Sequence, residues 1–172
     1  MKKQRGFSLI ELLIVVAIIL IIAAIAVPNL LKSKMAANEA SAAAADRTVG
    51  TAEVTYSSTY NTGFSQTLGA LGPPAAGVSA TSTAADLLDS VLSGSSVSAA
   101  ALTSTKSGYK FTYIPGATTP AATYTITGTP VATGSTGQST FCLDQTNVVR
   151  KDPTGATTAG AATGCPTAMN PM

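Results

Sequence analysis

The feature that most constrains this chain is an apolar run from Leu9 to Val27, nineteen residues interrupted only by Glu11. A helix rises about 1.5 Å per residue, so the run nearly spans a bilayer core of about 30 Å. Lys2, Lys3 and Arg5 precede it, a placement that holds an N-terminus in the cytoplasm and sends the following chain outward. Two plain readings compete. One is a single-pass anchor; the other is a secretory signal peptide cut after the small-x-small triplet Ala24–Ala26, with a mature chain beginning at Val27. Neither explains Glu11. A carboxylate within a membrane segment costs at least a few kcal/mol and marks a functional position whose partner has to be found.

No basic residue lies within a helical turn after Glu11, and Arg5 is six residues before it. Cleavage after Gly6 supplies a partner, because it creates a new α-amino group at Phe7. Four residues separate Phe7 from Glu11, which places amine and carboxylate on one helix face. The amine of a neighbouring chain is a second possible partner. The acid also falls in the first helical turn, where the helix dipole favours negative charge.

Composition narrows the classes. Charged residues are 10% of the chain, against roughly 25% in ordinary soluble domains. Behind the leader, seven basic residues face eight acidic ones. No basic stripe with interleaved aromatics exists, and no nucleic-acid partner is expected. The 17 Ser and 26 Thr give a hydroxyl-rich exterior that suits an exported protein, or reflects an Ala/Thr-rich bias. The absence of histidine removes the commonest general base and metal ligand. No phosphate loop, nucleophile elbow or metal cluster is present, so no catalytic residue, cofactor or metal site is assigned and the chain is not read as an enzyme. In an exported chain Cys142 and Cys165 read as one disulfide; two separate reduced thiols are the other reading.

The basic leader, Gly6 and "FSLIELLIVVAIILIIAAIAVPNL" resemble the N-terminus of type IV prepilins and their pseudopilin relatives over about twenty-five residues. The resemblance implies cleavage between Gly6 and Phe7 by a prepilin peptidase, and methylation of the Phe7 amine. It implies that Glu11 compensates that amine as subunits assemble, and so sets axial register. Pro28 stands where the family keeps a helix-breaking proline; having no N–H and crowding the Ala24 carbonyl, it is expected to kink or locally melt the helix. Many type IV pilins close a C-terminal loop with a disulfide, which favours the Cys142–Cys165 pairing. The implied function is a major pilin, a structural subunit held in the inner membrane with its N-terminus cytoplasmic and then polymerised into an extracellular pilus. Partners implied are other copies of the chain, the inner-membrane assembly platform and its ATPase, minor pilins and an outer-membrane secretin. Adhesion, twitching motility, DNA uptake and secretion all use such an N-terminus. Alternatives are a pseudopilin of a type II secretion system, or a secreted binding or enzymatic domain behind a signal peptide.

The expected fold is α+β, a long N-terminal helix whose second half packs on a C-terminal antiparallel sheet. Residues 1–6 are the leader, 7–31 the membrane-spanning and filament-core half of the helix, and 32–60 its amphipathic half. If unbroken, residues 7–60 make a helix of roughly 80 Å. Met35, Ala42, Val49 and Tyr56 recur every seven residues, and Glu39, Asp46 and Glu53 follow the first three by four positions. These read as two stripes of opposite character on an amphipathic helix. Residues 61–107 form a loop carrying a short helix at 84–92, with Thr83 as N-cap, Asp86 at N3 and Gly94 as stop. Residues 108–152 alternate as strands, with Tyr109, Phe111, Tyr113, Tyr124 and Ile126 on the helix-facing side. A turn at Gln145–Asn147 makes the last hairpin, and 153–172 is a C-terminal loop that a disulfide would close. Asp144 is a minor candidate for a calcium site, and Asp86 and Asp89 read as a solvated helix side.

Overall fold

The computed structural model describes residues 7–94, 102–156 and 160–172. The leader, including Gly6, lies outside the described residues. The chain divides into two compact units, one ending at Lys34 and one running from Met35 to Met172.

In the first unit, the helix α1 (Leu9–Tyr60) begins two residues after Phe7. The Ser8 amide donates to Glu11 Oε2 at 3.0 Å, the reach-back half of a capping box. The helix does not melt at Pro28 but continues through it, although a proline has no N–H for the Ala24 carbonyl. From Phe7 to Leu31 every residue is exposed except half-buried Ala23. This helix is long and apolar enough to cross a membrane, with a mean hydropathy of 3.3 over its most apolar 18 residues.

In the second unit, α1 continues from Met35 through an Ala-rich stretch suited to helix. Thr48, Thr51 and Thr55 lie on its outer side and return their hydroxyls to carbonyls four residues back, which satisfies the hydroxyls without interrupting the helix. The helix ends where Asn61 turns left-handed at φ 52° and its N–H meets the Ser57 carbonyl. Among the described residues six antiparallel strands follow in sequence order: β1 (Thr103–Lys106), β2 (Tyr109–Pro115), β3 (Tyr124–Pro130), β4 (Thr140–Asp144), β5 (Arg150–Asp152) and β6 (Asn170–Pro171). The sheet therefore begins before residue 108 and adds a two-residue edge strand in the tail. β1 is polar and largely exposed, as an edge strand tolerates, so its hydrophobic pattern gave no strand signal. It turns into β2 through Ser107 and Gly108, both at positive φ, the geometry of a tight two-residue hairpin.

Tyr109, Phe111, Tyr113, Tyr124, Ile126, Phe141 and Leu143 form one core with Ala42, Val49, Ala52 and Tyr56 of α1. Gly50 lets helix and sheet approach, since a Cβ there would collide with the Asn147 side chain. β3 and β4 are buried on both faces across Tyr124–Gly128 and Thr140–Asp144. The second face is covered by the tail: Thr123 and Thr125 donate to the carbonyls of Ala162 and Ala161, and Gly160 N–H donates to Thr127 Oγ.

The helix expected at 84–92 does not form; the segment is a series of turns. Its amides are used elsewhere. Those of Ala85, Asp86, Leu87 and Leu88 donate to the carbonyls of Ala70, Gly72 and Leu71, so they are withdrawn from any i to i−4 ladder. Asp86 sits at φ 57°, outside the helical region. Asp89 is not on a solvated helix side either. It accepts from the amides of Val91 and Leu92 and pairs with Lys106 at 2.8 Å.

Candidate functional site

The N-terminal segment carries the residues singled out for processing and assembly. Phe7 is 87% exposed and precedes the helix. Glu11 stands in the first turn, exposed, with its carboxylate drawn back toward the N-terminus by the Ser8 amide. The side chain therefore points at the end of the chain where cleavage after Gly6 would release an amine. Around it the exposed face is built of Leu, Ile and Val. Pro28 lies inside α1, far along the same apolar stretch.

Cys142 of β4 and Cys165 of the tail are joined by a disulfide with Cα atoms 5.8 Å apart. Asp144 sits beside this link and accepts from the Cys165 amide at 3.0 Å, as well as from the Thr146 amide and hydroxyl. Burial pushes its carboxyl up, but these bonds outweigh it and hold the group below the ordinary aspartate range. The carboxylate is thus occupied in shaping the β4–β5 turn and holding the tail. Among the described residues no group of three or more His, Cys, Asp or Glu side chains comes together as a metal site.

The acidic series on α1 differs most from expectation. Asp46 and Glu53 are fully buried against the sheet. A spacing of four residues rotates a position by only about 40° around a helix, so the acids and the apolar series share a face. Glu39 accepts from the amides of Gln138 and Ser139 and from Lys151 at 3.1 Å. Its burial acts upward, but these donors carry its carboxyl below the usual range. Glu53 takes the Ser65 amide, the Ser65 hydroxyl and the Tyr113 hydroxyl, the last at 2.6 Å. Burial wins there, and its carboxyl is raised despite those bonds. Among the described residues neither oxygen of Asp46 has a hydrogen-bond partner. Burial raises it well above the ordinary value, opposed only by nearby Arg47. The four-residue offset was the signal that could have placed these acids inside.

Residues 1–27 match the family model described as the prokaryotic N-terminal methylation motif. Over 39 residues, 23% of this chain, the sequence is 56% identical to the type IV wide pilus major component PilA4 of Thermus thermophilus. That match spans 30% of the relative's length. No solved structure matches. The methylation motif and the apolar helix with Glu11 in its first turn give this chain a type IV pilin-like N-terminus that carries the prepilin signature.

Proposed function

We propose that this chain is the major structural subunit of a type IV pilus, stored in the inner membrane, cleaved between Gly6 and Phe7 by a prepilin peptidase, N-methylated on Phe7 and polymerised through its N-terminal helix. The observation that carries the reading is Glu11, held in the first turn of an exposed apolar helix with its carboxylate turned toward Phe7. Each Leu, Ile or Val of that helix moved from water into a fibre core contributes roughly 1.5–3 kcal/mol. In lipid the same side chains are already satisfied, so the membrane serves as a reservoir. Apolar burial has no direction and tolerates many axial offsets. A carboxylate left unpaired in that core does not, so Glu11 selects the offset at which it meets a Phe7 amine. Pro28 is proposed as the point where the helix adapts its path. An inner-membrane platform with its ATPase, minor pilins and an outer-membrane secretin are the partners this route requires. The part proposed for the chain is structural rather than catalytic.

Mass spectrometry of the mature N-terminus tests the reading. A methylated Phe7 is the expected result, and a mature chain beginning at Val27 overturns it.

A further inference from the structure

The second unit carries a groove toward one end and an exposed, uncharged loop toward the other. The groove, of about 420 Å³, is lined by Tyr56, Phe64, Gln66, Thr83, Thr119 and Pro120 among others. Among the described residues no Asp, Glu, Lys or Arg lines it. It lies beside the last turn of α1 and the start of β3, where Phe64 bridges to Ala121 and its ring meets that of Tyr124. The loop follows β3. Residues 131–135, Val-Ala-Thr-Gly-Ser, are all exposed and uncharged, with Val131 at 59%. This loop is anchored near the start of the unit's helix, where Asn38 donates to the Thr136 carbonyl at 2.8 Å.

Two rulers give the separation. Asn38 to Tyr56 is eighteen residues of helix, about 27 Å. The strand β3, which joins the groove end to the loop end, runs from Tyr124 to Pro130, about 20 Å. Groove and loop thus lie toward opposite ends of the second unit.

We propose that the Val131 loop of one copy of this chain seats in the Tyr56–Phe64–Pro120 groove of the next. Complementary patches at opposite ends make a heterologous contact, which repeats without closing and so builds linear assemblies. Both surfaces are uncharged, so desolvating them leaves no ion unpaired. A loop tip in such a groove falls well short of the roughly 1,200–2,000 Å² that a stable free-standing interface buries. The contact therefore operates only where other forces concentrate the copies. It rests on the filament reading, in which the apolar helices supply that association, and adds to it the surface by which successive second units meet.

The test is a cysteine pair, Val131→Cys with Thr119→Cys, in the full chain, expressed in cells carrying the assembly machinery. Oxidised filaments should give a ladder of dimers, trimers and higher multimers from the double variant only. Filaments without a ladder leave the groove to some other occupant and overturn the contact, as does a stop at dimers or an equal ladder from either single variant. If the cysteine pair itself prevents filament formation, Val131→Asp decides. Burying an unpaired charge should cut its sheared-filament yield about tenfold, while Val91→Asp, on a different exposed turn, keeps it. Equal yields overturn the proposal. A parent chain that is processed but never forms filaments overturns the filament reading, and this contact with it; filaments from the parent without the ladder overturn the contact alone.

Discussion

Among the described residues Asp46 is the fully buried carboxyl whose oxygens have no hydrogen-bond partner, and replacing it with Asn changes how stability depends on pH. The unfolded chain titrates this group near the ordinary aspartate value of about 3.9. Burial raises the folded value well above that, with Arg47 as the nearest opposing charge. Between the two values folding takes up a proton. Stability therefore falls as pH rises through this window, by about 1.4 kcal/mol per pH unit. Below the unfolded value both states are protonated and the penalty vanishes. In a chain of 172 residues, 1 kcal/mol shifts Tm by roughly 2–4 °C, so the slope is roughly 3–6 °C per unit. Asp46→Asn is neutral throughout and loses this component while keeping the volume. Other shifted carboxyl groups act equally in both proteins: Glu53, raised, contributes a slope of the same sign, while Glu39 and Asp144, both lowered, lose stabilisation only as pH falls through their own values. The assay is thermal unfolding of the full chain in detergent, followed by tyrosine near-ultraviolet circular dichroism from pH 4 to 8. The two proteins should nearly coincide at the acid end and separate as pH rises above the ordinary aspartate value, with the variant the more stable at neutral pH. Parallel profiles, or a wild type that gains on the variant as pH rises, would refute a neutral buried Asp46.

Glu11→Ala should leave cleavage and membrane insertion intact but cut incorporation into filaments, checked by comparing processed subunit with sheared-fibre yield; a wild-type yield contradicts the register role. Substituting Gly6 with a bulky residue such as Leu should leave precursor in the inner membrane, and a mature-size band on a denaturing gel would displace the assigned cut site. Changing Cys142 and Cys165 together to Ser opens a link of sequence separation 23; chemical denaturation should show a loss of about 3 kcal/mol, with new protease sensitivity around residues 160–165. Tyr113→Phe removes the hydroxyl that donates to Glu53 inside the core and should cost about 1–3 kcal/mol by urea unfolding, whereas Tyr60→Phe on the helix end should cost far less.

Much of the fold was readable because it is written in local patterns. The alternation of Tyr109, Phe111 and Tyr113 gave a strand with one buried face, and those three side chains are in the core. The 84–92 segment failed for the opposite reason. Its capping residues and apolar spacing were those of a helix, but carbonyls at residues 70–72 offered its amides better-placed partners, and tertiary hydrogen bonds outweigh a weak local propensity over so few residues. The acids of α1 were misjudged because residue type was weighed above angular position. Asp46 and Glu53 follow buried Ala42 and Val49 by four residues and turn inward with them, while Glu39, four after half-buried Met35, is itself half-buried.

What the sequence determined by itself is the N-terminal segment: an apolar helix, its single acid and the basic residues before it are contiguous, and their chemistry depends on spacing along one helix. What only the tertiary structure decided is everything that depends on residues distant in sequence. That includes the tail laid over the second face of β3 and β4, the Glu53–Ser65–Tyr113 cluster, and the groove and loop at opposite ends of the second unit. These arise from long-range closure, where packing brings together groups that carry no mark of one another in the chain.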